Sequence, residues 1–215
     1  MSKPEHPQSP DAQGHDAQGP NAQSQDAPPR KRPRITGEDA LPGDPSREEQ
    51  IARMIRVDQA GEYGAVRIYA GQLAVLGRSG SGETIRAMAA TEREHLDRFD
   101  DLVADRGVRP TAFQPIWHVA GYALGAATAL LGERAAMACT VAVEDVIDRH
   151  YAEQAERLGE DEVDLRATIE KFRADELEHK DEALAHGAEG APAYELLTTA
   201  VKAGSRLAIW LSTRF

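Results

Sequence analysis

Glu62 is followed 30 residues later by Glu92-Arg93-Glu94-His95, and Glu144 is followed 32 residues later by Glu176-Leu177-Glu178-His179. Each half of the chain therefore places a lone glutamate ahead of a Glu-x-x-His. Glu and His three apart project from the same face of a helix. With each motif on its own helix, four helices bring four carboxylates and two imidazoles to one centre, the set with which a bundle core holds two metal ions. One Glu-x-x-His arises by chance in a charged chain. Two of them, each with a glutamate at nearly equal distance upstream, make a specific pattern.

The donor types select the metal. A carboxylate-rich site with one imidazole per metal and no thiolate suits iron or manganese better than zinc or copper. The expected partition puts Glu62, Glu92 and His95 mainly on one metal and Glu144, Glu176 and His179 mainly on the other. Glu92 and Glu176, one from each half, bridge. Four glutamates against two divalent ions sum to zero charge. Each imidazole needs an acceptor for its other ring nitrogen, and Asp175 and Asp58 are the candidates.

The elements that must position these groups are helices. From Ser46 onward the pattern is helical almost throughout, with no strand alternation. A first helix is expected over residues 46–76, with Ile51, Ile55, Val66, Tyr69 and Leu73 as its apolar stripe and Glu62 in the middle of it. A second, over 83–105, carries Ile85, Met88, Glu92, His95, Phe99 and Leu102 at alternating steps of three and four. A fourth aligns Met137, Val141, Glu144, Ile147, Tyr151 and Leu158, and a fifth aligns Leu165, Ile169, Phe172, Glu176, His179 and Ala183. All six candidate ligands thus sit on the buried stripe of their helix. A charged glutamate there is very costly unless paired or metal-bound, and these stripes hold no Lys or Arg to pair with it.

Acidic residues outnumber basic ones 36 to 25, for a net charge of −11. That balance argues against a nucleic-acid binder. The one cysteine, Cys139, excludes an internal disulfide framework and any cysteine-rich metal site, and its apolar surroundings mark it as a core residue. Residues 1–45 are rich in Pro, Gln, Asp, Ala and Gly, with almost no large apolar side chain before Ile35. They are expected to form a disordered tail, leaving 46–215 as the folded domain. The tail resembles neither a secretory signal nor a mitochondrial transit peptide, and its basic run Arg30-Lys31-Arg32-Pro33-Arg34 reads as solvated.

Two segments are not needed by a four-helix bundle in water. No charged residue occurs between Gln114 and Gly132, a stretch slightly short of the roughly 20 apolar residues of a spanning helix. The last helix, expected over 192–215, sets Leu196, Leu197, Val201, Leu207, Ile209, Trp210, Leu211 and Phe215 beside Lys202, Arg206 and Arg214. Aromatics and cations beside an apolar face suit a helix lying in a membrane surface. Two ferrous ions with open positions bind O2 and, given two electrons, make an oxidant of it. Hydroxylation, peroxide reduction and ferroxidation for storage all use this arrangement. The residues alone lead as far as a membrane-associated di-iron oxygenase acting on an apolar molecule. A ferritin-like iron-oxidising or storage protein and a non-catalytic lipid-binding scaffold are the alternatives.

The segments Asp58-Gln59-Ala60-Gly61-Glu62-Tyr63-Gly64-Ala65, Arg109-Pro110-Thr111, Leu124-Gly125-Ala126, Ala136-Met137-Ala138-Cys139-Thr140-Val141-Ala142-Val143-Glu144 and Asp175-Glu176-Leu177-Glu178-His179 resemble the demethoxyubiquinone hydroxylase family. The resemblance runs from about Ile51 to the C-terminus and leaves the N-terminal tail without a counterpart. It implies an all-α, ferritin-like four-helix bundle with a di-iron core, plus two further apolar or amphipathic helices. It carries the six iron ligands over to Glu62, Glu92, His95, Glu144, Glu176 and His179. It implies hydroxylation by O2 of a polyprenylated methoxy-methyl-benzoquinol, a late step of ubiquinone biosynthesis. That the reduced ring itself supplies electrons is a separate hypothesis. The family also has a His-Tyr pair where His150 and Tyr151 stand, giving these two a candidate catalytic role. The partners implied are the lipid quinol, a membrane surface, other proteins of ubiquinone biosynthesis and a second copy of the chain. The resemblance does not distinguish a bacterial from an organellar membrane; with no transit-peptide pattern, the expected place is the periphery of a bacterial inner membrane, on its cytoplasmic face.

Overall fold

The computed structural model describes residues 43–215. Among the described residues there are six α-helices and no strand: α1 (Arg47–Leu76), α2 (Gly82–Asp105), α3 (Gln114–Leu130), α4 (Glu133–Arg157), α5 (Val163–Ala185) and α6 (Tyr194–Arg214). The tail expected over 1–45 falls outside the described residues except for its last three. Helix α1 starts where a capping box forms: the Ser46 hydroxyl accepts from Glu49 N, while the Glu49 carboxylate accepts from Ser46 N at 3.0 Å. Such reciprocal capping satisfies two N–H groups that the first turn cannot.

Helices α1 and α2 form one hairpin, α4 and α5 another, and together they make the ferritin-like bundle. Helix α4 is its central member, buried at every position from 135 to 147. Its run of alanines, Cys139 and valines lets neighbours approach on all sides. Burial pushes the Cys139 thiol up to about 12, so it stays a small protonated core group. The apolar stripes expected on α2, α4 and α5 are buried throughout. On α1, Val66 and Leu73 are only half-buried, while Asp58, Gln59 and Gln72 are buried. This helix packs against α3 and α6 as well as α2, so its buried surface is wider than one stripe and includes polar residues.

The apolar core divides into two clusters. One gathers Ile55, Phe99, Ile147, Tyr151, Ile169 and Phe172, and the other gathers Tyr69, Ile85, Met88, Met137, Val141 and Ala183. On each of the four helices the candidate ligands fall in the chain between a member of one cluster and a member of the other.

Helices α3 and α6 are the additions to the bundle. Helix α3 lies backbone to backbone against α1: a Cβ at Gly71 would collide with Tyr122 O, and one at Gly125 with Ile68 O. Helix α6 is tied to α4 and α5 through Asp145, whose carboxylate takes Lys180 Nζ at 2.8 Å and Lys202 Nζ at 2.9 Å. Burial would raise the Asp145 carboxyl, but the two ammonium groups outweigh it and hold it at about 2.

Candidate metal centre

Glu62 from α1, Glu92 and His95 from α2, Glu144 from α4, and Glu176 and His179 from α5 are all buried. They converge in two overlapping groups, Glu62–Glu92–His95–Glu176 and Glu92–Glu144–Glu176–His179, each with one donor atom per residue, all within 4.8 Å of one another. Glu92 and Glu176 belong to both groups, which is the placement a bridging carboxylate requires.

The donor atoms are under-satisfied by protein alone. Both oxygens of Glu92, Oε2 of Glu62, Glu144 and Glu176, and Nδ1 of His179 are buried and make no well-directed hydrogen bond among the described residues, although His179 Nδ1 comes close to Glu92 Oε1 and Glu176 Oε2. Leaving so many polar atoms unpaired in a core is costly. A pair of divalent cations would satisfy all of them at once, so the residues present fit two metals. Their electrostatics say the same. Burial, then the negative charge of Glu176, drives the Glu92 and Glu144 carboxyls well above their ordinary range. Burial would lower His95, but its contacts with Glu176 and Glu62 prevail and raise it to about 10. Burial would raise Glu176, yet His179 and His95 hold it at about 2. Without metal, the cluster balances its charge by keeping protons.

The two imidazoles are held differently. His95 turns Nδ1 toward Glu176 Oε1 at 3.1 Å and Nε2 toward Asp175 Oδ2 at 3.0 Å, with its ring stacked on Phe172 at 3.8 Å between centroids. Asp175 is therefore the acceptor expected for an imidazole, and Lys171 supports it at 3.3 Å. His179 Nδ1 lies 3.0 Å from Glu92 Oε1 and 3.3 Å from Glu176 Oε2. Thr91, not a carboxylate, precedes Glu92 where Asp175 precedes Glu176. Asp58 serves neither ligand imidazole. Its Oδ1 meets His150 Nε2 at 3.2 Å and accepts from Gln154 Nε2 at 2.7 Å. His150 thus pairs with Asp58 and Gln154 instead of with the six, whereas Tyr151 is brought among them, its hydroxyl donating to Glu62 Oε1.

Residues 49–212 match the family model described as "Ubiquinone biosynthesis protein COQ7". The chain belongs to the COQ7 family. Among curated COQ7-type relatives, the "3-demethoxyubiquinol 3-hydroxylase" of Rhodospirillum rubrum is 62% identical over 182 residues, covering 84% of this chain and 86% of the relative. The human "NADPH-dependent 3-demethoxyubiquinone 3-hydroxylase, mitochondrial" is 53% identical over 168 residues, 76% of this chain and 77% of the relative. The "5-demethoxyubiquinone hydroxylase, mitochondrial" of Saccharomyces cerevisiae is 40% identical over 181 residues, 76% and 78% of the two chains.

A further side chain joins the candidate centre: Tyr69, expected only as part of the apolar stripe of α1. Its hydroxyl donates to Glu144 Oε1 at 2.9 Å. A signal was available. Tyr69 follows Glu62 by seven residues, as Tyr151 follows Glu144 by seven.

Proposed function

We propose that this COQ7-family chain is an O2-dependent di-iron monooxygenase that hydroxylates the ring of a polyprenylated methoxy-methyl-benzoquinol, the reaction class named for its relatives. One oxygen atom enters a ring C–H bond. The other leaves as water, which takes two electrons and two protons, and the quinol or an external reductant supplies the electrons. In this reading Glu62, Glu92, His95, Glu144, Glu176 and His179 hold the two iron ions, with Glu92 and Glu176 shared. Bound there, iron would supply the activation of O2.

The observation that carries the reading is an apolar cavity of about 390 Å³ beside the acidic centre. It reaches the lower end of the range for ligand pockets, about 300–1,000 Å³. Gly61 and Ala65, which flank Glu62 on α1, line it together with Val143 and Ile147, which flank Glu144 on α4. Leu124 of α3 and Leu207 and Ile209 of α6 complete the apolar wall. An iron store has no use for such a cavity, and a lipid scaffold has no use for six buried ligands. Tyr69 and Tyr151 fix the orientation of Glu144 and Glu62, and His150 acts on the buried carboxylate of Asp58.

No described helix is long and apolar enough to cross a membrane. Membrane contact in this proposal is peripheral, at the cytoplasmic face of a bacterial inner membrane. It is supported by Ile116 and Val119 of α3, by Leu196, Leu207 and Trp210 of α6 and by Phe215, all exposed. Arg214 lies 4.3 Å over the Trp210 ring, and Arg67 lies 5.1 Å over Tyr122, placing cations beside aromatics as a headgroup layer requires.

The test is a single turnover: iron-loaded protein and short-chain demethoxyubiquinol are mixed anaerobically and pulsed with 18O2. Product carrying one 18O atom is expected. Unchanged quinol with oxygen consumed and ferric iron accumulating would overturn the proposal in favour of ferroxidation.

A further inference from the structure

Glycine inside a helix is a weaker helix former than alanine, so each one in α1, α3 and α6 needs a reason. Gly71, Gly121 and Gly125 have one, because a Cβ at any of them would run into the backbone or Cβ atoms of the neighbouring helix. Gly61, Gly64 and Gly204 have none of that kind. A Cβ built on each meets no heavy atom within 4 Å. Nor does the backbone require glycine, since none of the three is among the positive-φ positions. What they share is the apolar cavity, whose wall all three form.

Gly61 and Gly64 are one turn apart on α1, bracketing Glu62 and Tyr63. Gly204 stands on α6, near Ser205 and Leu207 of the same wall. A side chain at any of them would extend from the cavity wall into open space, at Gly204 from the exposed rim. We infer that Gly61, Gly64 and Gly204 set the bore of the cavity and are specificity-determining residues, selecting a flat ring that carries a bulky isoprenoid tail. This rests on the quinol-hydroxylase reading above. The absence of side chains keeps the bore open at the expense of helix stability, so stability and substrate affinity respond in opposite directions to the same substitution.

The experiment uses the full chain with Gly64→Ala, Gly204→Ala, Gly64→Leu and Gly204→Leu. Quenching of tryptophan fluorescence reports binding of the oxidised prenylated quinone, since Trp117 lines the cavity. The same ring without its tail is the control ligand. Each alanine variant should melt about 2–4 °C higher than the parent while binding the prenylated quinone several-fold more weakly. Each leucine variant should bind it at least about tenfold more weakly, with a smaller loss for the tail-free ring and iron content unchanged. If the parent binds prenylated quinone and all four variants bind it equally well, the glycines do not set the bore and the inference alone falls. If the parent binds no prenylated quinone, the quinol-hydroxylase reading falls and takes the inference with it. The alanine variants keep the test informative should leucine impair folding.

Discussion

The Tyr69 hydroxyl and the Glu144 carboxylate, 75 residues apart in the chain, meet in a buried hydrogen bond of 2.9 Å. Burial, and then the charge of Glu144, drives the Tyr69 phenol well above its ordinary value, so it remains a donor at any working pH. Tyr69→Phe leaves Glu144 Oε1 buried without its donor. The metal-free protein should lose about 1–3 kcal/mol of stability, read by urea denaturation. Tyr151→Phe should do the same through Glu62. Unchanged midpoints in both variants would mean that the phenols are packing groups only.

Glu144→Gln removes a charge and keeps the shape. The variant should stay helical by circular dichroism, bind about one iron instead of two, and lose hydroxylation. Full activity would remove Glu144 from the ligand set. Asp175→Asn leaves all six donors in place but weakens the acceptor behind His95. Changes of this kind typically cost about 10–100-fold in metal affinity, measurable by competition with a chelator.

Metal-free and iron-loaded protein should respond differently to pH. Glu92 and Glu144 are raised in the folded state, so their contribution is complete below the ordinary value of 4.5 and is lost as pH climbs through the raised values. His95, raised from 6.5 to about 10, stabilises fully below 6.5 and progressively less toward 10. Glu176, depressed from 4.5 to about 2, works the other way, but its contribution is lost only as pH falls below 4.5. Above pH 6.5 every changing contribution therefore weakens the metal-free fold. Its melting temperature should fall between pH 6.5 and 9, and anaerobic ferrous iron, which displaces those protons, should flatten the decline. A metal-free curve level across that range would contradict the arrangement of charge described here.

The exposed apolar residues on α3 and α6 make a separate claim. Val119→Glu combined with Trp210→Glu should reduce flotation with lipid vesicles at least about tenfold. Turnover of prenylated quinol supplied in vesicles should fall in parallel, while turnover of a tail-free quinol in buffer is retained. Undiminished flotation would place membrane contact elsewhere.

The candidate centre was readable in the sequence because a charged residue on an apolar stripe stands out against its neighbours, and six did so. Contacts between helices were less readable. Tyr151 shares a helix and a face with Glu144, yet it donates to Glu62, because which side chain a phenol reaches depends on how the helices are set against each other. Asp58 was legible as a buried acceptor, but its partner proved to be His150. The cavity left no periodic trace. Its wall is assembled from Gly61 and Gly64 on one helix and Gly204 on another, and a glycine is silent in a hydrophobic pattern.

The crossed contacts at the centre obey a rule of exchange. Replace Glu62 by Glu144, Tyr69 by Tyr151, Glu92 by Glu176 and His95 by His179, and the contact of Tyr69 with Glu144 becomes that of Tyr151 with Glu62. In the same way, the contact of His95 with Glu176 becomes that of His179 with Glu92. This is the pattern of an isologous interface between identical subunits, here closed within a single chain. Two copies of one helical hairpin related by a twofold axis would satisfy every one of these contacts. Duplication and fusion of such a hairpin would therefore need no new ligand, only a connection, which α3 now provides. The exchange stops at the outer support of the imidazoles, where Asp175 has Thr91 as its counterpart.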